Sequence, residues 1–291
     1  MRTTTADFAA TPDGSAFYRA YDRVLDKWPV DVTRLDLASE FGTTRVNVCG
    51  QVDAPSVVLL PGAGATSTVW FANVAALANH YRVYAVDLIG DVGRSVANGT
   101  PVRTVDDLMS WLNTVTAAVD LKEFSLVGHS YGAMIALAYA LREPDNVRSL
   151  ALLDPNSCFA RMRTSYLLRA APLLLRPTAK RERNFIRWET DGQHVDEDWL
   201  DLLAYGAAHY PKSKTVVPQR PKRNAVEQMS LDTTVILAGD SKVHDSARVA
   251  ANIGPIPRIH TVLVGGATHH TMPMVPVEAL NAALIDALSE Q

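Results

Sequence analysis

A serine between two glycines, at the centre of residues 128–132 (Gly-His-Ser-Tyr-Gly), constrains this chain more than any other feature. The apolar residues 124–127 before it indicate a short buried strand, and the apolar residues 133–141 after it indicate a buried helix. Glycine is needed at both flanking positions because side chains there would clash with the backbone of so tight a strand-to-helix turn. Such a turn holds the Ser130 hydroxyl out from the sheet edge, at the positive end of the helix. We therefore predict that Ser130 is a catalytic nucleophile on a nucleophile elbow.

Size and charge limit the classes of protein to consider. The chain has 291 residues, enough for one large α/β domain with an inserted subdomain. Its 28 basic and 31 acidic residues give a net charge of −3, and its two cysteines make no disulfide framework. The N-terminus lacks the apolar stretch of a signal peptide, and no apolar run approaches the ~20 residues needed to cross a bilayer. We expect a cytoplasmic protein that binds neither nucleic acid nor membranes; its oligomeric state stays open.

Short apolar runs alternate with helical patterns along most of the chain, which predicts βαβ units and a mainly parallel sheet. Residues 17–28 and 105–119 have the periodicity of helices. The predicted strands cover residues 34–37, 44–48, 57–60, 81–87, 124–127, 147–153, 234–238 and 260–264. The first two alternate apolar and polar residues, which favours an antiparallel hairpin at the sheet edge.

About 80 residues between the sixth and seventh predicted strands show no strand pattern, and a structureless loop of that length is uncommon in a compact domain. This stretch is rich in leucine, arginine and aromatic residues and is interrupted by prolines. We predict that residues 156–225 form a helical cap over the sheet edge that carries Ser130. Residues 1–155 and 226–291 then form the core.

These motifs and their order resemble the α/β-hydrolase superfamily over nearly the whole chain. Residues 21–30 (YDRVLDKWPV), and residues 84–91 (YAVDLIGD) with the Gly-Arg-Ser at 93–95, are similar to bacterial carboxylesterases of the naproxen-esterase type. The resemblance implies an α/β-hydrolase fold, an eight-stranded and mostly parallel sheet with helices on both faces, and an inserted cap. It also implies a serine hydrolase without a cofactor.

Acyl chemistry needs a base and oxyanion donors besides the nucleophile. In this fold the base follows the last strand, where His269 and His270 stand. The family pattern has a proline seven residues after the histidine; Pro276 therefore favours His269, with His270 as the alternative. The expected oxyanion donors are the backbone N–H groups of Tyr131 and Ala63.

The acid is the open position of the predicted triad. Most family members carry it three residues after the glycine that ends the seventh strand, and counting from Gly239 gives Lys242. Asp154, at the end of the sixth strand, is the favoured substitute, because some α/β-hydrolases, including pancreatic-type lipases, place their acid there. Asp245 is an alternative that also fits a helix N-cap, and Asp240 is a third.

The sequence thus predicts a serine hydrolase that cleaves an ester, thioester or lactone of a small apolar acyl substrate through an acyl-enzyme. An acyltransferase, thioesterase or cyclase with the same triad is the alternative, and a ligand receptor on this fold is a remote one. No histidine or cysteine spacing indicates a metal site, and no cofactor is expected.

Overall fold

In a computed structural model of the protein, which describes residues 5–211 and 214–289, eight strands form one sheet. The strands are β1 (Thr33–Ser39), β2 (Gly42–Cys49), β3 (Ser56–Leu60), β4 (Arg82–Val86), β5 (Phe124–His129), β6 (Val147–Leu153), β7 (Thr233–Ala238) and β8 (Ile259–Val264). Their order across the sheet is β1-β2-β4-β3-β5-β6-β7-β8. The β1–β2 and β2–β4 pairs are antiparallel and all others are parallel. This confirms the predicted mostly parallel sheet.

Helices cover both faces of this sheet, also as predicted. They are α1 (Thr5–Ala9), α2 (Pro12–Leu25), α3 (Val74–Ala78), α4 (Val105–Ala118), α5 (Tyr131–Ala140), α6 (Thr164–Leu175), α7 (Ala179–Glu189), α8 (Glu197–His209), α9 (Arg223–Glu227), α10 (Ser246–Ile253) and α11 (Val277–Leu288), with 3₁₀ helices at Ser67–Ala72 and Pro144–Asn146. Along β3, Val57 and Leu59 join the core under α3 and α11, whereas Val58 and Leu60 join the core under α4, α5 and α10. The alternation follows from the two-residue period of a strand.

One helix differs from its predicted bounds, 17–28, at both ends. Helix α2 begins at Pro12, five residues before the predicted start at 17, and ends at Leu25. Its first turn has no apolar periodicity, but the Thr11 side chain accepts a hydrogen bond from the N–H of Gly14, and Pro12 follows directly. A threonine N-cap followed by proline therefore begins the helix where the apolar pattern gives no signal.

Four helices, α6 to α9, lie between β6 and β7 in the part of this stretch that is described, residues 154–211 and 214–232. Helix α8 packs against α2 of the core. At this contact the Lys27 ammonium lies 3.0 Å from Asp196 and 2.8 Å from Asp198, and the Tyr205 hydroxyl donates to Asp13. Helix α2 and the residues that follow it thus support the helical segment after β6. Within the described ranges, no helix is both long and apolar enough to cross a membrane.

Candidate active site

The turn between β5 and α5 has the geometry that its two glycines require. Ser130 lies there at φ 52° and ψ −110°, and its N–H donates to the carbonyl of Leu153 over 3.0 Å. A Cβ on Gly128 would approach the carbonyl oxygen of Gly132 to 2.4 Å, and a Cβ on Gly132 would approach that of Leu60 to 2.3 Å. Both contacts are with backbone, which cannot move aside as a side chain can. The strained conformation of Ser130 therefore depends on both glycines.

A chain of hydrogen bonds joins three of the predicted residues. Ser130 Oγ lies 2.8 Å from His269 Nε2, and His269 Nδ1 lies 2.6 Å from Asp154 Oδ2. Asp154 follows β6 and His269 follows β8, so the parallel strands bring both to the sheet edge that carries the turn after β5. All three side chains are buried. The arrangement is that of a nucleophile, a base and an acid that orients the base.

The Asp154 carboxylate has donors around it besides His269. The N–H of Ala238 donates to Oδ1, the Ser241 hydroxyl donates to Oδ2, and His244 Nε2 lies 3.1 Å from Oδ1. Burial alone would raise the pKa of Asp154, but its interactions with His244 and His269 outweigh burial and hold that pKa well below its usual range. The carboxylate is therefore ionised at neutral pH and accepts the Nδ1–H of His269. That leaves Nε2 to accept the proton of Ser130.

The histidine has the properties expected of a base next to a carboxylate. Burial lowers the pKa of His269, but the hydrogen bond and charge of Asp154, together with the charge of Glu189, outweigh this and raise it above its usual value. These interactions stabilise the protonated, imidazolium form of His269.

The other acidic candidates do not reach His269. Asp245 caps α10 by accepting the N–H of Arg248 over 3.0 Å, and its side chain is 56% exposed. Asp240 accepts the N–H of Gly266 over 3.1 Å. Lys242, at the position where the family pattern has its acid, contacts the carbonyl of Trp188 in the last turn of α7 and Asp191 just after this helix. The structure thus brings only Asp154, of the three candidates, to the base.

Two further histidines near the base are neutral. Burial lowers the pKa of His270 to about 4, and its Nε2 lies 3.1 Å from the Tyr166 hydroxyl, away from Ser130. Burial and the neighbouring His269 lower the pKa of His129 to about 3. The Nε2–H of His129 donates to the backbone carbonyl of His269 over 2.9 Å, which ties the base to the elbow.

The two predicted oxyanion donors have free backbone N–H groups. Across the described ranges, no residue accepts a hydrogen bond from the N–H of Ala63 or Tyr131. Ala63 lies in a turn in which the N–H of Ala65 donates to Gly62 and the N–H of Gly64 donates to the Asp91 carboxylate. The Asp91 contact holds this loop beside the elbow. The Tyr131 side chain points elsewhere, since its hydroxyl donates to the carbonyl of Val216.

Glu189, at the end of α7, is a residue that the sequence reasoning missed. Its buried carboxylate accepts the N–H groups of His269 and His270, each over 3.1 Å, and the Thr268 hydroxyl over 2.8 Å. It thus anchors the loop that carries the base to the helical segment after β6. No local signal identifies it, because Glu189 ends a helix with many charged residues and resembles any exposed glutamate there. Ser241 and His244, in the loop after β7, were missed as well, because nothing in the local sequence shows that their side chains reach Asp154.

Ser130 and His269 open onto a cavity of about 510 Å³ beneath the helices that follow β6. Its walls are contributed by the sheet edge (Gly62, Ala63, His129, Ser130, His269) and by α6 to α8 (Tyr166, Leu173, Glu182, Phe185, Trp199, Leu203). Most of these side chains are apolar or aromatic, as in pockets for small organic molecules. Among the described residues, no cluster of three or more histidine, cysteine, aspartate or glutamate side chains has the geometry to hold a metal ion.

Residues 57–283 match the family model described as the alpha/beta hydrolase family, which is most of the chain. The chain belongs to the α/β-hydrolase family. The predicted resemblance to naproxen-esterase-type proteins is also confirmed. This α/β-hydrolase is 32% identical over 190 residues to carboxylesterase YbfK of Bacillus subtilis (strain 168), an alignment that covers 65% of this chain and 63% of YbfK. It is 33% identical over 184 residues to the uncharacterized carboxylesterase nap of the same strain, covering 63% of this chain and 60% of nap.

The curated relatives are therefore matched over less than two thirds of their length. Solved structures match this chain over more of its length. The crystal structure of naproxen esterase (carboxylesterase NP) from Bacillus subtilis superposes with a TM-score of 0.88 at 24% identity, covering 95% of this α/β-hydrolase and 98% of that chain. At this identity the superposition shows a shared fold.

Proposed function

We propose that this α/β-hydrolase is a serine esterase that cleaves esters of small, largely apolar acyl compounds. The observation that carries the proposal is the hydrogen-bonded chain from Ser130 through His269 to Asp154, on the wall of an apolar cavity. The carboxylesterase names of its Bacillus relatives support the same reaction class.

The mechanism follows from the two hydrogen bonds that hold His269 between Asp154 and Ser130. His269 Nε2 takes the proton of Ser130 as Oγ attacks the ester carbonyl, and Asp154 stabilises the imidazolium. The tetrahedral oxyanion accepts the N–H groups of Ala63 and Tyr131, which no other described residue engages. The intermediate collapses to an acyl-enzyme, and His269 gives its proton to the departing alcohol. Water, deprotonated by His269, then attacks the acyl-enzyme and releases the acid and Ser130.

In this proposal, residues 156–225 act as a cap that shapes the substrate pocket. Tyr166, Phe185 and Trp199 come from three different helices of this segment and face the same cavity as Ser130. Their apolar surfaces suit an acyl or aromatic group, whose burial strengthens binding. The pKa of His129 is about 3 and that of His270 is about 4, so both rings are neutral at pH 7 on the wall of this cavity.

The test is ester hydrolysis by wild type beside Ser130→Ala, with p-nitrophenyl acetate, butyrate, hexanoate and octanoate. We expect turnover by wild type and a loss of about 10⁴-fold or more in kcat for Ser130→Ala. A fluorophosphonate should add its mass to wild type on Ser130 and leave Ser130→Ala unlabelled. A folded wild type with no Ser130-dependent turnover and no labelling would contradict the proposal.

The same assay separates hydrolysis from acyl transfer. Product analysis with and without an added alcohol shows whether water or another nucleophile accepts the acyl group. An ester of the added alcohol as the main product would indicate an acyltransferase with the same acyl-enzyme.

A further inference from the structure

A second carboxyl group faces the cavity from above the reactive serine. Glu182 lies on α7, is 8% exposed, and lines the same cavity as Ser130. Within the described part of the chain, no residue donates a hydrogen bond to its carboxyl group or pairs with it as a cation. Buried polar groups normally have a hydrogen-bond partner, so a carboxyl group that faces a cavity without one among the described residues is available to a ligand.

The described residues of the cavity wall bring no compensating positive charge to Glu182. None of the described residues that line the cavity is lysine or arginine, and His129 and His270 are neutral there. Asp91 is the other carboxyl on the wall, but the N–H groups of Gly64 and Val92 already donate to it. Burial raises the pKa of Glu182 to about 7, because it removes water from the charged form of the carboxyl group. A cation in the cavity would stabilise that charged form.

Aromatic rings occupy the same part of the wall. Phe185 lies one helical turn from Glu182, and its ring centroid is 5.4 Å from that of Tyr166 in an edge-to-face arrangement. Trp199 and Tyr210 also line the cavity. The faces of aromatic rings attract cations, and a carboxylate among such rings is a suitable site for an ammonium group.

From this juxtaposition we propose that Glu182, with the aromatic side chains around it, binds a cationic ammonium group in the acyl or alcohol part of the substrate. The inference rests on the proposed esterase function and narrows its substrate class to esters of small amino or quaternary ammonium compounds. The ammonium group pairs with the Glu182 carboxylate, and the rings contact the methyl or methylene groups that surround the nitrogen.

The test compares esters that differ only in having nitrogen or carbon at the cationic centre. One pair is butyrylcholine and 3,3-dimethylbutyl butyrate, with the charge in the alcohol part. The other is the p-nitrophenyl ester of 4-(trimethylammonio)butyrate and that of 5,5-dimethylhexanoate, with the charge in the acyl part. In wild type we expect kcat/KM to favour the cationic member of at least one pair by about tenfold. In Glu182→Gln the ratio should fall severalfold, since a neutral amide keeps the shape and removes the charge, and only the attraction of the rings remains.

The matched control is Glu197→Gln, because Glu197 begins α8 and lies outside the cavity lining. This control should keep the wild-type ratio. Equal rates for both members of both pairs in wild type, or a preference for the cation that is undiminished in Glu182→Gln, would overturn the inference while leaving the esterase function intact.

Calorimetry with Ser130→Ala separates this inference from the proposed function. Binding of choline or 4-(trimethylammonio)butyrate is compared with binding of the carbon analogue, in Ser130→Ala and in Ser130→Ala with Glu182→Gln. A cation preference that requires Glu182 supports the ammonium site even if wild type cleaves no ester. Absence of such a preference, in a wild type that hydrolyses esters through Ser130, refutes the site alone.

Discussion

Replacement of Asp154 by asparagine tests the arrangement of the acid most directly. The N–H of Ala238 donates to Oδ1, so the asparagine must place its carbonyl oxygen there to avoid two opposed donors. Its NH₂ group then takes the place of Oδ2, which faces His269 Nδ1 over 2.6 Å. An NH₂ group is a donor, so Nδ1 must become the acceptor and the ring proton moves to Nε2. Nε2 then cannot accept the proton of Ser130.

This tautomer change sets the size of the effect. A base held in the wrong tautomer lowers kcat by about 10⁴-fold, equivalent to about 5.4 kcal/mol of activation free energy. The Asp154 carboxylate also raises the pKa of His269, so the remaining activity should have its acid limb at lower pH than wild type.

The assay is steady-state hydrolysis of p-nitrophenyl butyrate by wild type, Asp154→Asn and Asp245→Asn, with circular dichroism to show that each variant is folded. Asp245 caps α10, and asparagine caps helices as well as aspartate, so Asp245→Asn should stay within about twofold of wild type. Loss of activity in Asp245→Asn with retention in Asp154→Asn would refute the reasoning.

Three further predictions concern Glu189, the protonation of His269 and the glycine at 132. Glu189→Gln places an NH₂ group against backbone donors of the base loop, so kcat should fall by about tenfold or more and the acid limb should move to lower pH; unchanged kinetics would contradict this. In wild type, kcat/KM should fall as pH drops through the raised pKa of His269, above 6.5, because the protonated imidazole is no base; a pH profile that is flat from 5 to 8 would contradict it. Gly132→Ala puts a Cβ 2.3 Å from a backbone oxygen and should lower the free energy of unfolding by about 3 kcal/mol, measured by denaturant titration. Gly265→Ala, with no atom within 4 Å of the new Cβ, is the matched control and should be near neutral.

The sheet and the elbow could be predicted because their signals are local. Apolar runs of strand length, helical periodicity and the glycines around Ser130 depend on neighbours within about ten residues. The order of these elements then placed Ser130 and His269 at one edge. The same local chemistry indicated that Asp245 caps a helix, which the structure shows through Arg248.

The position of the acid was decided by tertiary structure. Asp154 and His269 are 115 residues apart, and whether they meet depends on how β6, β7 and β8 align. From the sequence alone, Asp154, Asp240 and Asp245 were three carboxylates near strand ends. The distance to His269 Nδ1 distinguishes the three, because the length of a hydrogen bond varies by only a few tenths of an ångström.

The helical segment after β6 shows most clearly which contacts cannot be predicted from the sequence. In sequence, Glu182 and Glu189 are two acidic residues of a charged helix, of the kind that usually faces solvent. In the fold, Glu189 accepts backbone N–H groups of the loop that carries His269, and Glu182 faces the cavity with no partner among the described residues. A helix's own periodicity shows which residues share a face but not what that face meets. Residues 128–132 alone thus determined the elbow that carries Ser130. Its contacts with His269 and Asp154, and the carboxyl group of Glu182 in the cavity, arose only when distant segments packed together.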